Sequence, residues 1–336
     1  MNPTRFCVAT ALCALAVSTP LAAQAGVFAT SVVSSNTNGN AGGGIFQPSN
    51  ALGAPLGSTD VHSLGIGGDL VLGFSVPIVD GPGADLIVAE NPFRLTSDPL
   101  ATFAEVLFVE VSSDGVHFAR FPSRYFGPPV QPGAFGTVPV GTYAGLAGQT
   151  PVLANQPGAD PQDVVEAGGD AFDLADLAGD PLVRSGLVDL QAITQVRLVD
   201  VVSGLSTDSG GTPIFDPGAG SADVDAVTAI HQQGTVSANG PSVAITITAQ
   251  GLIKLRIEDP DGWADLDPSS LRAAISGIPV AAGGLFGALT MVQADSLGFT
   301  LVQTQPLPPS LLFTLSVSLK DRAGHRSGLT RVRPTS

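Results

Sequence analysis

The chain has 336 residues, of which 44% are hydrophobic and only 13% are charged. This composition allows a sizeable buried core and excludes a disordered chain on compositional grounds. The 29 acidic residues outnumber the 14 lysines and arginines, which argues against binding to nucleic acid or anionic lipid. The 41 glycines and 27 prolines require much of the backbone to form turns.

The first 25 residues have the pattern of a signal peptide. One cation, Arg5, precedes an apolar run over 6–17, and Ala23-Gln24-Ala25 fits the small-x-small rule for cleavage. We therefore expect the mature chain to begin near Gly26, and the protein to be secreted, displayed at the cell surface or retained in a periplasm. An N-terminal membrane anchor is the alternative, but the apolar run is short for a membrane span.

The mature chain is expected to lack cysteine, because Cys7 and Cys13 both lie in the predicted signal. It would then have no disulfide, no thiolate metal site and no cysteine nucleophile. After the signal, no apolar stretch reaches 18 residues without a charge or a turn residue, so the sequence predicts no further membrane span.

Short strands separated by turns are predicted along most of the first 234 residues. Apolar runs bounded by turn residues lie over 69–76, 84–89, 106–112, 195–201 and 222–230. Asp114-Gly115 predicts a hairpin whose second strand covers 116–121. Residues 126–190, rich in proline and aspartate, are predicted to form a loop insertion with one short helix near 173–177. Strands of this kind indicate a jelly-roll β-sandwich over residues 26–234.

A second all-β unit is predicted after a linker at 235–242. Strand patterns resume over 243–248, 252–257, 299–302 and 312–319, and the last alternates apolar with serine or threonine side chains. This length and spacing fit an immunoglobulin-like (Ig-like) β-sandwich over 243–336. The sequence therefore predicts an all-β protein with a jelly-roll domain followed by an Ig-like domain.

Several segments resemble a family of bacterial secreted and cell-surface proteins. They are PSNALGAP at 48–55, SLGIGG at 63–68, DGPGAD at 80–85, VEVSSDGVHF at 109–118, GGDAFDL at 168–174 and DVDAV at 223–227. The resemblance covers about residues 40–231 and implies a discoidin-like, or galactose-binding-like, jelly roll. The chain departs from the family at Leu56-Gly57, where Asp-Gly is usual.

The C-terminal unit resembles a bacterial Ig-like module. The resemblance lies in EDPDGWADLDPSSL at 258–271 and KDRAGH at 320–325. It implies a spacer or adhesive unit that carries the first domain.

A calcium site is one interpretation of the acidic residues near the ends of the predicted strands. Asp223 and Asp225 are two residues apart on a strand and should project from the same face. Two adjacent like charges in an apolar segment need a compensating cation, arginine or backbone donors. Asp85 and Glu90 bracket another strand and could add oxygen ligands. The alternative is that these carboxylates cap turns by accepting backbone hydrogen bonds.

A second acidic cluster contains Asp259, Asp261, Asp265 and Asp267. Gly262 after Asp261 resembles part of an EF-hand loop. In that register, however, the first loop position would be Ile257 and the twelfth Pro268, where acidic ligands are required. The remaining interpretations are a looser calcium site and a solvated loop with turns capped by aspartate.

Catalytic patterns are not evident in the sequence. The four histidines, His62, His117, His231 and His325, are scattered without the HExxH spacing of zinc enzymes, and there is no Gly-x-Ser-x-Gly motif. With one tryptophan and two tyrosines, the chain has few of the aromatic faces that sugar-binding clefts use.

We therefore expect a secreted or cell-surface binding or adhesion protein and not an enzyme. Its recognition module would be stabilised by calcium, and an extracellular glycan or a surface protein would be its partner. Two alternatives stay open. One is a secreted hydrolase that acts on polysaccharide with acidic residues in a cleft formed by the 126–190 loops. The other is a purely structural envelope component.

Overall fold

The structure is a computed structural model that describes residues 25–38, 44–57, 59–95, 97–218, 220–248, 251–280, 289–303, 306–307 and 311–332. These residues form several antiparallel β-sheets with a few short helical turns, so the predicted all-β class is confirmed. The predicted signal lies outside the described residues except for Ala25, and Cys7 and Cys13 lie outside them as well. Among the described residues, no helix has the length and apolar character needed to cross a bilayer.

The N-terminal half, up to residue 234, consists mostly of short strands. They are β1 (Ser31–Asn36), β2 (His62–Ser63), β3 (Asp69–Ile78), β4 (Leu86–Ala89), β5 (Phe93–Leu95), β6 (Asp98–Phe103), β7 (Leu107–Ser112), β8 (Ala119–Arg120), β9 (Arg124–Tyr125), β10 (Val138–Pro139), β11 (Tyr143–Ala144), β12 (Asp170–Phe172), β13 (Ile193–Asp200), β14 (Asp223–Val224) and β15 (Ala226–Ala229). Helical turns are Ala25–Val27, Pro48–Ala51, Leu174–Leu177 and α1 (Pro181–Arg184).

Two sheets enclose the main core of this half. One has the order β1-β3-β13-β7-β8 and the other β12-β4-β15; smaller sheets pair β10-β6-β5, β11-β9 and β14-β2. Strand β4 is buried on both faces, because Leu86 and Val88 enter the main core while Ile87 packs in a second cluster. Burial on both faces explains why its sequence is continuously apolar and does not alternate.

The predicted loop insertion at 126–190 contributes to this scaffold. Strand β12 pairs with β4, and Phe172, Leu174 and Leu177 belong to the main core. The predicted short helix is present as Leu174–Leu177, and the side chain of Asp173 caps it by accepting a hydrogen bond from Ala175 N.

The C-terminal half contains two four-stranded sheets around a core of its own. Its strands are β16 (Ser242–Ile247), β17 (Ile253–Glu258), β18 (Leu266–Ile275), β19 (Ile278–Val280), β20 (Leu289–Ala294), β21 (Gly298–Gln303), β22 (Thr314–Asp321) and β23 (Arg326–Val332). The sheet orders are β16-β17-β21-β20 and β19-β18-β22-β23. Alternating burial along β16 and β17 turns one face of that sheet into the core.

The two halves meet at a junction between the 160–176 segment and strands β18, β22 and β23. Arg326 and Lys320 both bind Asp160 at 2.9 Å, and Arg272 binds Glu166 at 3.1 Å. A small apolar cluster brings Ala274 of β18 against residues of the N-terminal half. Ion pairs and apolar contacts therefore link two cores that are otherwise separate.

Candidate functional site

The ends of several strands bring acidic residues together in the N-terminal half. Glu90 directly follows β4, Asp223 opens β14, and Glu105 lies two residues before β7. Asp200 pairs with Leu107 in one sheet and Ala226 with Ala89 in the other. The carboxylates of Glu90, Glu105 and Asp223 are close enough to raise one another's pKa, which places these strand ends in the same region. We call Glu90, Glu105 and Asp223 the strand-end cluster.

Both glutamates of the strand-end cluster are buried with one oxygen unsatisfied. Glu90 is 3% exposed; its Oε1 accepts a hydrogen bond of 2.9 Å from Asp223 N, while Oε2 has no hydrogen-bond partner. Glu105 is 8% exposed and its Oε1 is also without a partner. A Cβ atom placed on Gly220 would lie 2.9 Å from this oxygen, so the backbone itself approaches the carboxylate. Buried polar atoms without a partner are costly and call for an explanation.

The pKa values of the strand-end cluster are raised. Burial raises the pKa of Glu105 to about 8, and the charges of Asp223, Asp216 and Asp200 add to the effect, while the backbone N–H of Gly220 opposes it. Burial raises the pKa of Glu90 well above its usual value, with further contributions from Asp223 and Glu105. The pKa of Asp223 is raised by burial, although a hydrogen bond from Ser63 opposes the shift. The three carboxylates therefore destabilise one another when all are ionised.

Three further aspartates near this cluster are held by backbone donors. Asp200 accepts hydrogen bonds from Gly67 N (2.8 Å) and Ala222 N (2.9 Å), and Asp170 accepts 2.8 Å bonds from Gly148 N and Gln149 N. Burial still raises the pKa values of Asp170 and Asp200 to about 6 and that of Asp216 to about 7.

Among the described residues, arginine and lysine do not pair with the strand-end cluster, and only His62 acts on Asp223 from a distance. In the described part of the chain, the ion pairs of arginine and lysine involve other carboxylates and never Glu90, Glu105 or Asp223. A divalent cation would supply the missing charge, and oxygen-only donors favour calcium over softer metals. Two other acidic groups have ligand atoms that all lie within 4.8 Å of one another, whereas the strand-end cluster does not, so an ion bound there would need waters or small side-chain movements to complete its ligands.

Asp85 lies away from the strand-end cluster. It precedes β4 whereas Glu90 follows it, and five residues of extended chain span about 16 Å. The Asp85 carboxylate accepts hydrogen bonds from Gly81 N (2.8 Å) and Leu174 N (2.7 Å) and contacts His231 Nδ1 at 2.7 Å. Burial raises its pKa to about 6, against the opposing effect of His231. All of its oxygens are satisfied, which suits a structural role.

Asp225 holds a nearby loop. Its Oδ1 accepts a 3.0 Å hydrogen bond from Leu56 N, and its buried Oδ2 has no partner. Burial raises its pKa to about 6, with a smaller contribution from the charge of Asp60. The contact of this loop with Asp225 comes from the backbone amide of Leu56, so it does not depend on which side chain stands at position 56.

The second predicted set is divided by the structure. Asp259 and Asp265 meet Asp321, a residue of β22 that was not in the predicted set, with ligand atoms within 4.8 Å of one another. Asp261 is exposed, and Asp267 caps a turn by accepting a 2.9 Å hydrogen bond from Ser269 N. The structure thus separates a group of close carboxylates from a turn capped by Asp267, and calcium binding at the former stays a prediction.

Sequence reasoning missed Glu105, Asp170, Asp200, Asp216 and Asp321. Asp200 and Asp321 stand at the last position of an apolar strand, and Glu105 stands just before one. An isolated acid at the border of an apolar run was the available signal, but it does not tell which strand ends meet.

The larger surface cavities have other linings. The cavity of about 460 Å³ at the junction is lined by His231, His325 and Arg326, whose partners are Asp85, Asp321 and Asp160. Three further cavities of the described structure also lack any residue of the strand-end cluster. Glu90 and Glu105 are almost inaccessible to solvent, which suits a small ion better than a polymer.

No protein-family model matches this chain, and no curated protein is similar to it in sequence. The function is therefore inferred from the residues themselves.

Proposed function

We propose that the protein is an exported binding protein, without catalytic activity, whose N-terminal half is a jelly-roll recognition module stabilised by calcium. The C-terminal half serves as its Ig-like spacer. The observation that carries this proposal is the pair of buried, unpartnered oxygens, Glu90 Oε2 and Glu105 Oε1, beside Asp223. Calcium takes six to eight oxygen ligands, and waters would complete the set.

The hydrolase alternative draws on the raised pKa of Glu105, about 8, which suits a general acid. A glycosidase, however, needs both carboxyl groups to reach the scissile bond of a polysaccharide. Glu90 and Glu105 are 3% and 8% exposed. Their burial favours the calcium interpretation, in which an ion and not a polymer reaches the carboxylates.

An exposed aromatic surface supports a recognition role. Phe93 and Phe135 are 46% and 79% exposed, and Phe103 stacks on Phe93 with ring centroids 4.8 Å apart. The stacked pair lies on neighbouring strands: Phe93 of β5 follows Glu90 by three residues, and Phe103 of β6 precedes Glu105 by two. Exposed aromatic faces can stack on the apolar faces of sugars or pack against a protein partner. A glycan array with the parent and Phe135→Ala tests this part of the proposal, which predicts weaker binding by the variant.

Thermal unfolding of residues 26–336 with calcium and with EDTA tests the calcium site. An ion that binds only the folded state raises the free energy of unfolding, and the increase grows with the logarithm of the free ion concentration. We expect a higher unfolding midpoint in calcium. A midpoint that is the same in calcium and in EDTA would overturn the proposal.

Two substitutions locate the effect. Glu90→Gln keeps the shape of the side chain and its acceptor for Asp223 N but removes the charge, so the calcium response should fall sharply. Asp189→Asn removes an exposed carboxylate far along the chain and should keep the full response. An equal response in both variants would place the calcium effect elsewhere.

Export is tested by expressing the full chain in a bacterium with a secretory pathway. We expect intact-mass analysis of the exported protein to show a chain that begins near Gly26. A protein that stays in the cell with residues 1–25 attached would contradict this part of the proposal.

A further inference from the structure

One loop of the C-terminal half joins β17 to β18 and contains two buried or half-buried aspartates. Consecutive turns hold the loop, with Gly262 N donating to Asp259 O and Asp265 N donating to Gly262 O, both at 2.9 Å. Gly262 has φ 103°, a conformation that favours glycine. Hydrogen bonds between backbone groups therefore shape the loop.

A third aspartate, Asp321, comes from the end of β22. Its carboxylate is held by the next turn, where His325 N donates to Oδ1 at 2.8 Å and His325 Nδ1 lies 2.5 Å from Oδ2. Arg322 N also donates to Asp265 O at 2.9 Å, which ties the loop to this turn. Asp321 is thus placed opposite the loop by a local hydrogen-bond network.

The spacing of the carboxylates matches a calcium ion. One oxygen from each of Asp259, Asp265 and Asp321 lies within 4.8 Å of the others. Two oxygens on opposite sides of calcium are at most about 5 Å apart, because each bond is about 2.3–2.6 Å long. The three oxygens can therefore bind one ion without a large rearrangement.

An independent observation points to a ligand at this place. Asp259 is fully buried, and while its Oδ1 accepts a 2.8 Å hydrogen bond from Asp261 N, its Oδ2 has no partner. Burial raises the pKa of Asp259, and the charges of Asp265 and Asp321 add to the shift. Within the described residues, His325 is the only basic side chain that pairs with any of the three.

A second compact acidic group differs from this one in its basic partners. Asp80, Asp85 and Asp173 also have ligand atoms within 4.8 Å of one another. There, Arg331 contacts Asp173 and supplies a positive charge, in addition to the contact of His231 with Asp85, whereas the Asp259 group has only the contact of His325 with Asp321. The group at Asp259 keeps an unsatisfied buried oxygen.

We propose that Asp259, Asp265 and Asp321 form a second calcium site, which ties the β17–β18 loop to the turn after β22. Directly after this turn, β23 begins at Arg326, whose guanidinium binds Asp160 of the N-terminal half at 2.9 Å. The bound ion therefore holds in place a turn that leads into the junction.

Terbium luminescence tests the site in the full mature chain, because Tb³⁺ replaces Ca²⁺ at oxygen sites. Trp263, the single tryptophan of the chain, lies in the same loop, two residues from Asp265, and can sensitise an ion bound there. Excitation at the red edge of the indole band avoids the tyrosines of the N-terminal half. We expect saturable sensitised emission that excess Ca²⁺ abolishes. Absence of such emission from the folded protein would overturn the proposal.

Matched variants locate the ion. Asp265→Asn should weaken Tb³⁺ binding at least about tenfold and still fold, because Asp265 is half-buried and its carboxylate accepts no hydrogen bond in the described structure. Asp267→Asn removes a neighbouring carboxylate that faces Ser269 and should bind Tb³⁺ like the parent. Equal weakening by both variants would contradict the assigned ligands.

Two variants distinguish the proposed calcium site at the strand-end cluster from the one at Asp259. Glu90→Gln should keep the emission sensitised by Trp263 and lose the calcium response of the N-terminal half. Asp265→Asn should show the opposite pattern. If Glu90→Gln abolishes the terbium signal in a folded protein, the emission does not come from the site at Asp259.

Discussion

The junction and the strand-end cluster both bury carboxylates, but they handle the charge in different ways. At the junction, burial alone would raise the pKa of Asp160; Arg326 and Lys320 outweigh this effect, and the pKa is lowered. In the strand-end cluster, burial and neighbouring acids act in the same direction and raise the pKa of Glu105 to about 8. Within the described ranges, arginine and lysine thus balance the buried carboxylate at the junction and do not pair with the strand-end cluster.

This difference separates structural carboxylates from candidate ligands. A buried acid whose oxygens are all hydrogen-bonded or paired needs nothing from the solvent. A buried acid with a free oxygen and acidic neighbours is stable only when protonated or bound to a cation. Acidic composition alone does not distinguish the two classes, whereas the unsatisfied atoms do.

The largest expected effect is on a structural carboxylate. Asp85→Ala leaves His231 Nδ1 and the amides of Gly81 and Leu174 without their acceptor. We expect the free energy of unfolding to fall by about 3–5 kcal/mol, as for other broken buried pairs. Denaturant unfolding should give the same loss in calcium and in EDTA. A loss that appears only in calcium would make Asp85 a ligand after all.

The pH dependence of stability should differ between the metal-free and the calcium-bound protein. With EDTA, the folded state holds more protons than the unfolded state between about pH 4.5 and 8, because the pKa of Glu105 is raised to about 8 and that of Asp216 to about 7. Stability should therefore fall as pH rises through this window. Asp85 and Asp173, with pKa values raised to about 6 and 7, add to the fall in both conditions.

The quantity to measure is the difference between the unfolding free energies in calcium and in EDTA at each pH. Calcium needs ionised ligands, so it should cancel the contribution of Glu105, a difference on the order of 3 kcal/mol at the alkaline end of the window. Parallel pH profiles of the unfolding free energy in calcium and in EDTA would argue against a cation at the strand-end cluster.

Glu105→Gln should have opposite effects in the two conditions. In EDTA at neutral pH it removes a carboxylate whose ionisation is disfavoured in the fold, so we expect stabilisation by about 2 kcal/mol. In calcium it removes a ligand, so the stabilisation by the ion should shrink. Chemical unfolding in both buffers measures the two values. Destabilisation in EDTA would mean that a group of the protein other than a bound cation stabilises the charge of Glu105.

The smallest expected effect is at the edge of the junction. Arg331 lies 3.3 Å from both Asp173 and Asp176, and its side chain is 32% exposed. Solvent screens such a pair, so Arg331→Ala should lower the free energy of unfolding by about 0.5 kcal/mol. The loss should be equal in calcium and in EDTA. A loss of several kcal/mol would show that the junction depends on this single pair.

Much of the fold could be predicted because the strands have strong local patterns. The runs at 69–76 and 195–201 appear as β3 and β13, and the alternation at 243–248 appears as β16. The expected return strand at 116–121 is shorter, with Ala119–Arg120 as β8, because Asp114 instead binds Val116 N and His117 N in a turn. Local side-chain hydrogen bonds of this kind compete with strand pairing.

The candidate site could be predicted only in part. Glu90 and Asp223 stand at strand borders in the sequence, and the structure joins them by a hydrogen bond. Glu105 and Asp321 reach their clusters through pairings between distant strands, which composition and spacing do not encode. Asp85 and Glu90 are close in sequence yet lie at opposite ends of β4, because an extended strand separates what a helix would bring together.

The most direct test of the central claim is the number of calcium ions bound by the full mature chain and by a Glu90→Gln/Glu105→Gln double variant. Calorimetric titration of Ca²⁺ into the metal-free proteins gives both numbers, and the site at Asp259 is common to the two. We expect the folded double variant to bind one ion fewer than the parent. Equal numbers of bound ions, with equal affinities, would contradict a calcium site at the strand-end cluster.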